Sequence, residues 1–161
     1  MAYHALNSDE TTDLSEAQVN DLNGRISVIM PVYNGADFIP LSLPPLIDMM
    51  HRGEILEVIV VDDGSTDGSK QMAETIGAKV LSSGGRLGPG GARNQAANTA
   101  LGDILWFVDA DVVVHSDAAR CLGIGFDVDQ VVAVFGSYDS NPPARNFFSQ
   151  YKNLVHHYYH N

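Results

Sequence analysis

Short runs of aliphatic and β-branched residues at 26–30, 56–61, 78–81, 104–108 and 131–135 alternate with helix-length stretches at 44–51, 66–76, 90–100 and 116–123. Runs this short and this continuously apolar suit strands buried on both faces. Strands alternating with helices call for right-handed crossovers, so the pattern predicts a three-layer α/β/α sandwich around a mostly parallel sheet. Pro44 and Pro45 are expected to start or break the first helix, and Met49 and Met50 to fill core. Residues 1–24 carry no sustained period and are expected to form a flexible leader, with a short helix near 15–22, ahead of one domain at 25–161. Open parallel sheets bind ligands beyond the carboxyl ends of their strands. The chemically interesting residues fall at those ends.

The fourth run leads into Phe107-Val108-Asp109-Ala110-Asp111, two carboxylates one residue apart. Ionised groups at the end of a buried strand end up paired, protonated or on a metal, and hard cations such as Mg²⁺ and Mn²⁺ take carboxylate and phosphate oxygens. A strand-end turn with solvated Asp residues explains the same letters. The second run enters Asp62-Asp63-Gly64-Ser65-Thr66-Asp67-Gly68. Ser65 or Thr66 is expected to cap the following helix and Asp67 to sit in its first turn. Capping leaves the adjacent Asp62 and Asp63 unexplained, because neighbouring carboxylates add desolvation and repulsion; one of them is expected to accept a ligand hydrogen bond.

The first run closes on Pro31-Val32-Tyr33-Asn34-Gly35, where the Tyr33 ring offers a surface for a nucleobase, although a plain strand-to-helix turn accounts for the segment equally. The third run precedes Gly84-Gly85-Arg86-Leu87-Gly88-Pro89-Gly90-Gly91-Ala92-Arg93-Asn94. So many glycines let backbone approach a ligand, and the helix that follows presents N–H groups and Arg93 to an anion. The spacing matches neither a dinucleotide loop nor a P-loop. A flexible glycine loop with Arg93 on a solvated face is the alternative.

The chain has 161 residues with a net charge of −11 and nine basic residues, which disfavours nucleic acid and anionic membrane as partners. A small anionic substrate needs local help from a metal or Arg. No apolar run reaches the length of a membrane span, no signal-peptide pattern opens the chain, and Cys121 is the single cysteine, so a cytoplasmic location is expected.

Taken in order, Ile26 to Asn34, Val60 to Asp67, Gly91-Ala92-Arg93-Asn94 and Phe107 to Asp111 resemble the motifs of family-two glycosyltransferases with the Rossmann-like GT-A fold. The resemblance covers about residues 25–137, the nucleotide-sugar half of such enzymes. It implies transfer of a sugar from a nucleotide-diphosphate donor with inversion, using Mg²⁺ or Mn²⁺, to an acceptor that the motifs do not identify. Carried over by position, Pro31, Val32 and Tyr33 line the base pocket, Asp63 reads the base, and Asp62 lies at the pocket floor. Arg93 faces the nucleotide, Asp111 holds the metal most directly, and Asp109 lies near the ribose or the metal's waters. A non-catalytic nucleotide-sugar-binding module and a metal-dependent nucleotidyltransferase are the rival readings.

Inverting transfer also needs a general base, which in the resembling enzymes is an Asp or Glu on a later segment. Asp139 is the last acidic residue and follows the fifth run too closely to match it, so the chain is expected to be a fragment of a longer enzyme. Phe147, Phe148, Tyr151, Leu154, Val155, Tyr158 and Tyr159 recur at helical spacing, an apolar face expected to pack under the acceptor half of a longer protein, dock on the sheet, pair two chains or stay exposed. His156, His157 and His160 lack a third-ligand pattern and are assigned to packing rather than zinc.

Overall fold

The computed structural model describes residues 24–126 and 130–136. The described residues up to Ile124 form one compact unit, and the described residues from Gly125 onward belong to another.

Within the first unit the elements run β1 (Ile26–Val32), α1 (Ile39–His51), β2 (Glu57–Asp62), α2 (Ser69–Ile76), β3 (Lys79–Ser82), α3 (Gly88–Ala97), β4 (Ile104–Phe107) and the start of α4 (Ala118–Phe126). The sheet order is β3-β2-β1-β4 with every neighbouring pair parallel. Crossovers thus leave β1 in both directions, first towards β2 and β3 and later to β4. This places a topological switch point between β1 and β4, where a crevice opens at the carboxyl ends.

The period of two along each strand divides the core. Val28, Met30 and Val32 of β1, with Val58 and Val60 of β2, face Ile39, Leu43 and Leu46 of α1 and Ala73 of α2. Ile29, Ile59 and Val61 face Ala92 and Ala96 of α3 on the other side. The small alanines let α3 lie close on the sheet. Three layers result, as the alternation predicted.

Two elements depart from expectation. Helix α1 starts at Ile39 and continues through Pro44 and Pro45, rather than starting or breaking there. An interior proline costs about 3 kcal/mol. Ile39, Leu43, Leu46, Ile47 and Met49 are buried along the same helix, and at about 1.5–3 kcal/mol each they outweigh the two prolines. Met49 and Met50 do serve as core, the first buried and the second packed against it.

The fifth apolar run, 131–135, forms no strand. Gly125 packs against Val134 in that second unit, while Val132 and Phe135 are 92% and 88% exposed. Strand propensity is realised only against a partner strand, and this run pairs with none among the described residues. The leader at 1–23, Asp139, the aromatic stretch with its proposed self-association and the three C-terminal histidines lie outside the described residues. Among those residues, no helix is long and apolar enough to cross a membrane.

A candidate nucleotide site at the carboxyl ends of the strands

At the end of β2 the alternation of side chains separates two carboxylates that the sequence places side by side. Asp62 continues the face of Val58 and Val60 and turns towards the α2 side, where it accepts a hydrogen bond from Ser65 N at 3.2 Å. Asp63, one residue on, falls on the face of Val61 and meets the α3 side, where Oδ1 accepts from Leu87 N and Oδ2 from Gly88 N, both at 2.8 Å. Both residues are buried. The repulsion expected between them is avoided because they serve opposite layers. The nearby Ser83 hydroxyl, the hydrogen bonds from the Leu87 and Gly88 amides and the charge of Arg86 hold Asp63 below the usual carboxylate range against burial.

Ser65 and Thr66 stitch loops together instead of capping a helix, and Asp67 lies just before the helix, accepting from Ser69 N at 3.0 Å, rather than in its first turn. Helix α2 starts at Ser69 behind Gly68, with no side-chain cap hydrogen bond from that residue. Ser65 Oγ accepts from Asn34 N at 3.0 Å, Asn34 Oδ1 from Thr66 N at 2.9 Å, and Asp67 Oδ2 from Ala36 N at 2.9 Å. Ser69 Oγ adds a bond from Gly35 N at 2.9 Å. Asn34 takes the left-handed conformation at φ 51°, which Asn tolerates better than most side chains. The loop after β1 is thereby locked to the loop after β2. Bonds to Ser69 and Ala36 N hold Asp67 below the ordinary carboxylate range.

On the other side of the strand ends lies a strap, residues 83–88, joining β3 to α3. Arg86 in this strap lays its guanidinium over the Tyr33 ring, 4.9 Å from the centroid. That separation is within cation–π range. Tyr33 is half exposed, so the Arg86–Tyr33 pair forms a flat, charged surface at the mouth of the crevice.

Helix α3 then carries Arg93 towards the end of β4, where its guanidinium pairs with the Asp109 carboxylate. Arg93 Nε is buried and has no hydrogen-bond partner among the described residues, which leaves one N–H of this group to be satisfied. Asp111 is exposed in the turn after Asp109, a turn closed by Val112 N donating to Asp109 O at 3.0 Å. Among the described residues, no group of three or more His, Cys, Asp or Glu is placed to hold a metal by itself. Two oxygen donors one residue apart suit a hard cation that arrives with phosphate oxygens of its own.

Tyr33, Asp62, Asp63, Arg93, Asp109 and Asp111 thus lie at the same end of the sheet, at or just beyond the carboxyl ends of β1, β2 and β4 and on the α3 helix. Pro31 is half-buried near the end of β1. The Val32 side chain is core, 2% exposed, and only its backbone is directed to the neighbouring strand end, its carbonyl accepting from Asp63 N at 2.8 Å. Arg86 was not among the residues singled out from the sequence. Its signal was a lone cationic residue inside a glycine run.

Comparison with known proteins agrees with this geometry. The model of glycosyl transferase family 2 matches residues 27–160. The poly(ribitol-phosphate) beta-glucosyltransferase of Bacillus spizizenii is 37% identical over 103 residues, which are 58% of this chain and 16% of that protein. Glycosyltransferase GlyG of Streptococcus pneumoniae is 27% identical over 124 residues, 72% of this chain and 40% of that protein. The chain spans less than half the length of the curated relatives it matches. Among solved structures, Staphylococcus aureus TarS 1-349 in complex with UDP superposes with a TM-score of 0.56 at 30% identity, over 71% of this chain and 39% of that one. The mannosyltransferase PcManGT of Pyrobaculum calidifontis, in complex with GDP-Man and Mn²⁺, gives 0.53 at 32% identity over 62% and 31%. The sheet order, the four motifs and the span of the match lead to one assignment: the chain belongs to glycosyl transferase family 2.

Proposed function

We propose that this chain forms the donor-binding part of an inverting glycosyltransferase, with the nucleotide diphosphate lying across the carboxyl ends of β2, β1 and β4. The base rests at the Tyr33 and Arg86 surface, near the end of β1 that holds Pro31 and Val32 and above the β2 carboxylates Asp62 and Asp63. The diphosphate reaches towards Arg93 and the Asp109–Asp111 turn. The UDP and UDP-GlcNAc complexes of TarS and the GDP-Man complex of the mannosyltransferase support a nucleotide-sugar donor.

The observation that carries the reading is the Arg93–Asp109 ion pair, which ties α3 to the end of β4 at the switch point. It keeps a guanidinium at the place where an anion would enter, held by a carboxylate that a phosphate can replace. Charge balance supports a cation as well. Asp62, Asp63, Asp109 and Asp111 outnumber Arg86 and Arg93, so a bare diphosphate would be repelled. Asp111 and Asp109 are the residues that would hold Mg²⁺ or Mn²⁺. When bound, such an ion supplies positive charge against the negative charge left on the departing diphosphate.

The protein residues do the rest. Arg93 binds and orients the diphosphate, Tyr33 and Arg86 fix the plane of the base, and the locked loops after β1 and β2 keep these groups from shifting. Titration calorimetry of UDP and GDP with and without Mn²⁺ tests the proposal. Binding of at least one nucleotide that strengthens with Mn²⁺ and fails in Arg93→Ala is expected. Binding of neither nucleotide under any condition would overturn it.

A further inference from the structure

The strap carries its cation on a loose stretch between two fixed ends. Ser83 N donates to Asp62 O at 3.0 Å, and Leu87 N and Gly88 N donate to Asp63. Between these anchors Gly84 holds φ +78°, and a Cβ on Gly84 or Gly85 would meet no atom within 4 Å. The hydrogen bonds of both glycines stay within residues 82–87. Two unpacked glycines directly before Arg86 give its backbone room to turn.

From this stretch Arg86 reaches across the end of β2. Its Cγ lies 4.0 Å from the place a Cβ would take on Gly64, and its guanidinium carbon ends 4.9 Å from the centre of the Tyr33 ring. Asp63, next to Gly64, keeps open acceptor positions beside its two amide bonds, since a carboxylate offers about four. A base that stacks on Tyr33 and reaches Asp63 therefore meets the guanidinium in its path. The two cannot share the place. Two stacking contacts of about 3.5 Å each need about 7 Å between ring and guanidinium, and 4.9 Å leaves no layer for a base.

We infer that Arg86 is a place-holder for the nucleobase: in the empty site its guanidinium fills the stacking face of Tyr33, and donor binding proceeds by moving it off the ring. The inference rests on the donor site proposed above and adds that the seat is taken before the donor arrives. Displaced, the guanidinium stays beside the base on its glycine stretch, bordering the plane that Tyr33 sets. Apparent affinity for any base is lowered by the fraction of chains whose ring is uncovered. A phosphate compound without a base does not meet that competition.

The test follows the Arg86 Nε–H resonance by NMR on the full chain, with Arg86→Lys to assign it. A guanidinium proton above an aromatic ring is shifted upfield, and Tyr33→Leu should remove that shift from the free chain. Saturating UDP or GDP with Mg²⁺ is expected to remove it as well, while inorganic pyrophosphate with Mg²⁺ leaves it in place. Stopped-flow binding gives a second readout. In Arg86→Ala the ratio of the UDP association rate to the pyrophosphate association rate should rise about two- to fivefold, the weight of one exposed cation–π contact. Taking the ratio cancels the steering charge lost with the arginine. A free chain with no upfield shift at Arg86, or a rate ratio that stays level or falls in Arg86→Ala, would overturn the inference. Should neither nucleotide bind, the donor reading falls and the place-holder with it; a nucleotide bound with Arg86 still on the ring overturns the place-holder alone.

Discussion

Asp109 and Asp111 sit one residue apart and do different work. Asp109 is neutralised by Arg93, whereas the Asp111 side chain makes no ion pair or hydrogen bond among the described residues. An exposed turn residue of this kind contributes within about 0.5 kcal/mol to folding. Asp111→Ala is therefore expected to leave the unfolding midpoint nearly unchanged and to abolish the Mn²⁺-dependent part of nucleoside-diphosphate affinity. Calorimetry that finds undiminished metal-dependent binding in the variant would remove Asp111 from the metal assignment. Arg86 makes the complementary point at the other end of the crevice, since its importance comes from the ring it lies over. Tyr33 is 53 residues earlier in the chain, a proximity that no local pattern announces.

At the scale of elements, the opposite end of the sheet shows what keeps the strands in register. Glu57, at the start of β2, accepts from Ser27 Oγ at 2.9 Å, Leu101 N at 2.8 Å and Lys79 Nζ at 3.0 Å, so one carboxylate joins β1, β3 and the loop before β4. Gly102 N donates to the same Ser27 hydroxyl at 2.9 Å, and a Cβ at Gly102 would overlap Arg25 O. Glu57→Ala strands these donors and should destabilise the chain by about 1–3 kcal/mol per buried group left unpaired. Urea unfolding with Glu57→Gln as the conservative control measures it, and an unchanged midpoint for Glu57→Ala would contradict the brace. Neither Glu57 nor Ser27 stood out in the sequence, because each is an ordinary residue at the edge of an apolar run. The four strands and four helices were legible in that run pattern to within a few residues at most ends. Helix α1 was the exception, since local proline chemistry pointed to a break and burial of its apolar face overrode it. The Asp62-Asp63 pair was legible as unusual, and its resolution onto two faces required knowing that β2 continues to Asp62. The 131–135 run failed for the converse reason: its letters describe a strand, and a strand exists only where another strand receives it.

Across the whole molecule, bonded carboxylates set the response to acid. Glu57 is pushed up by burial, but the bonds from Leu101, Lys79 and Ser27 leave it below its ordinary value, and Asp63 and Asp67 are lowered by their own donors. A carboxylate whose folded pKa lies below its unfolded one binds fewer protons when folded, so stability rises with pH through that window. The contribution is complete above the unfolded values of about 4 and is lost as pH falls through the lower folded values. Urea midpoints are thus expected to stay level between about pH 7 and pH 5 and to drop below about pH 4, more steeply for the wild type than for Glu57→Gln. Acid also lessens the repulsion implied by a net charge of −11, so a midpoint that rises steadily on acidification would mean that repulsion outweighs these bonded groups.

The strap is gripped through its peptide groups, and this governs how it can change over evolution. Any residue able to offer an N–H at position 87 would fit the grip, so the letters there are at liberty to drift while the shape is retained. Proline is the natural prohibition. Kinship at the grip itself will then be carried by an acidic letter at the end of the second strand and by a glycine some two dozen positions downstream, whatever letter stands at position 87.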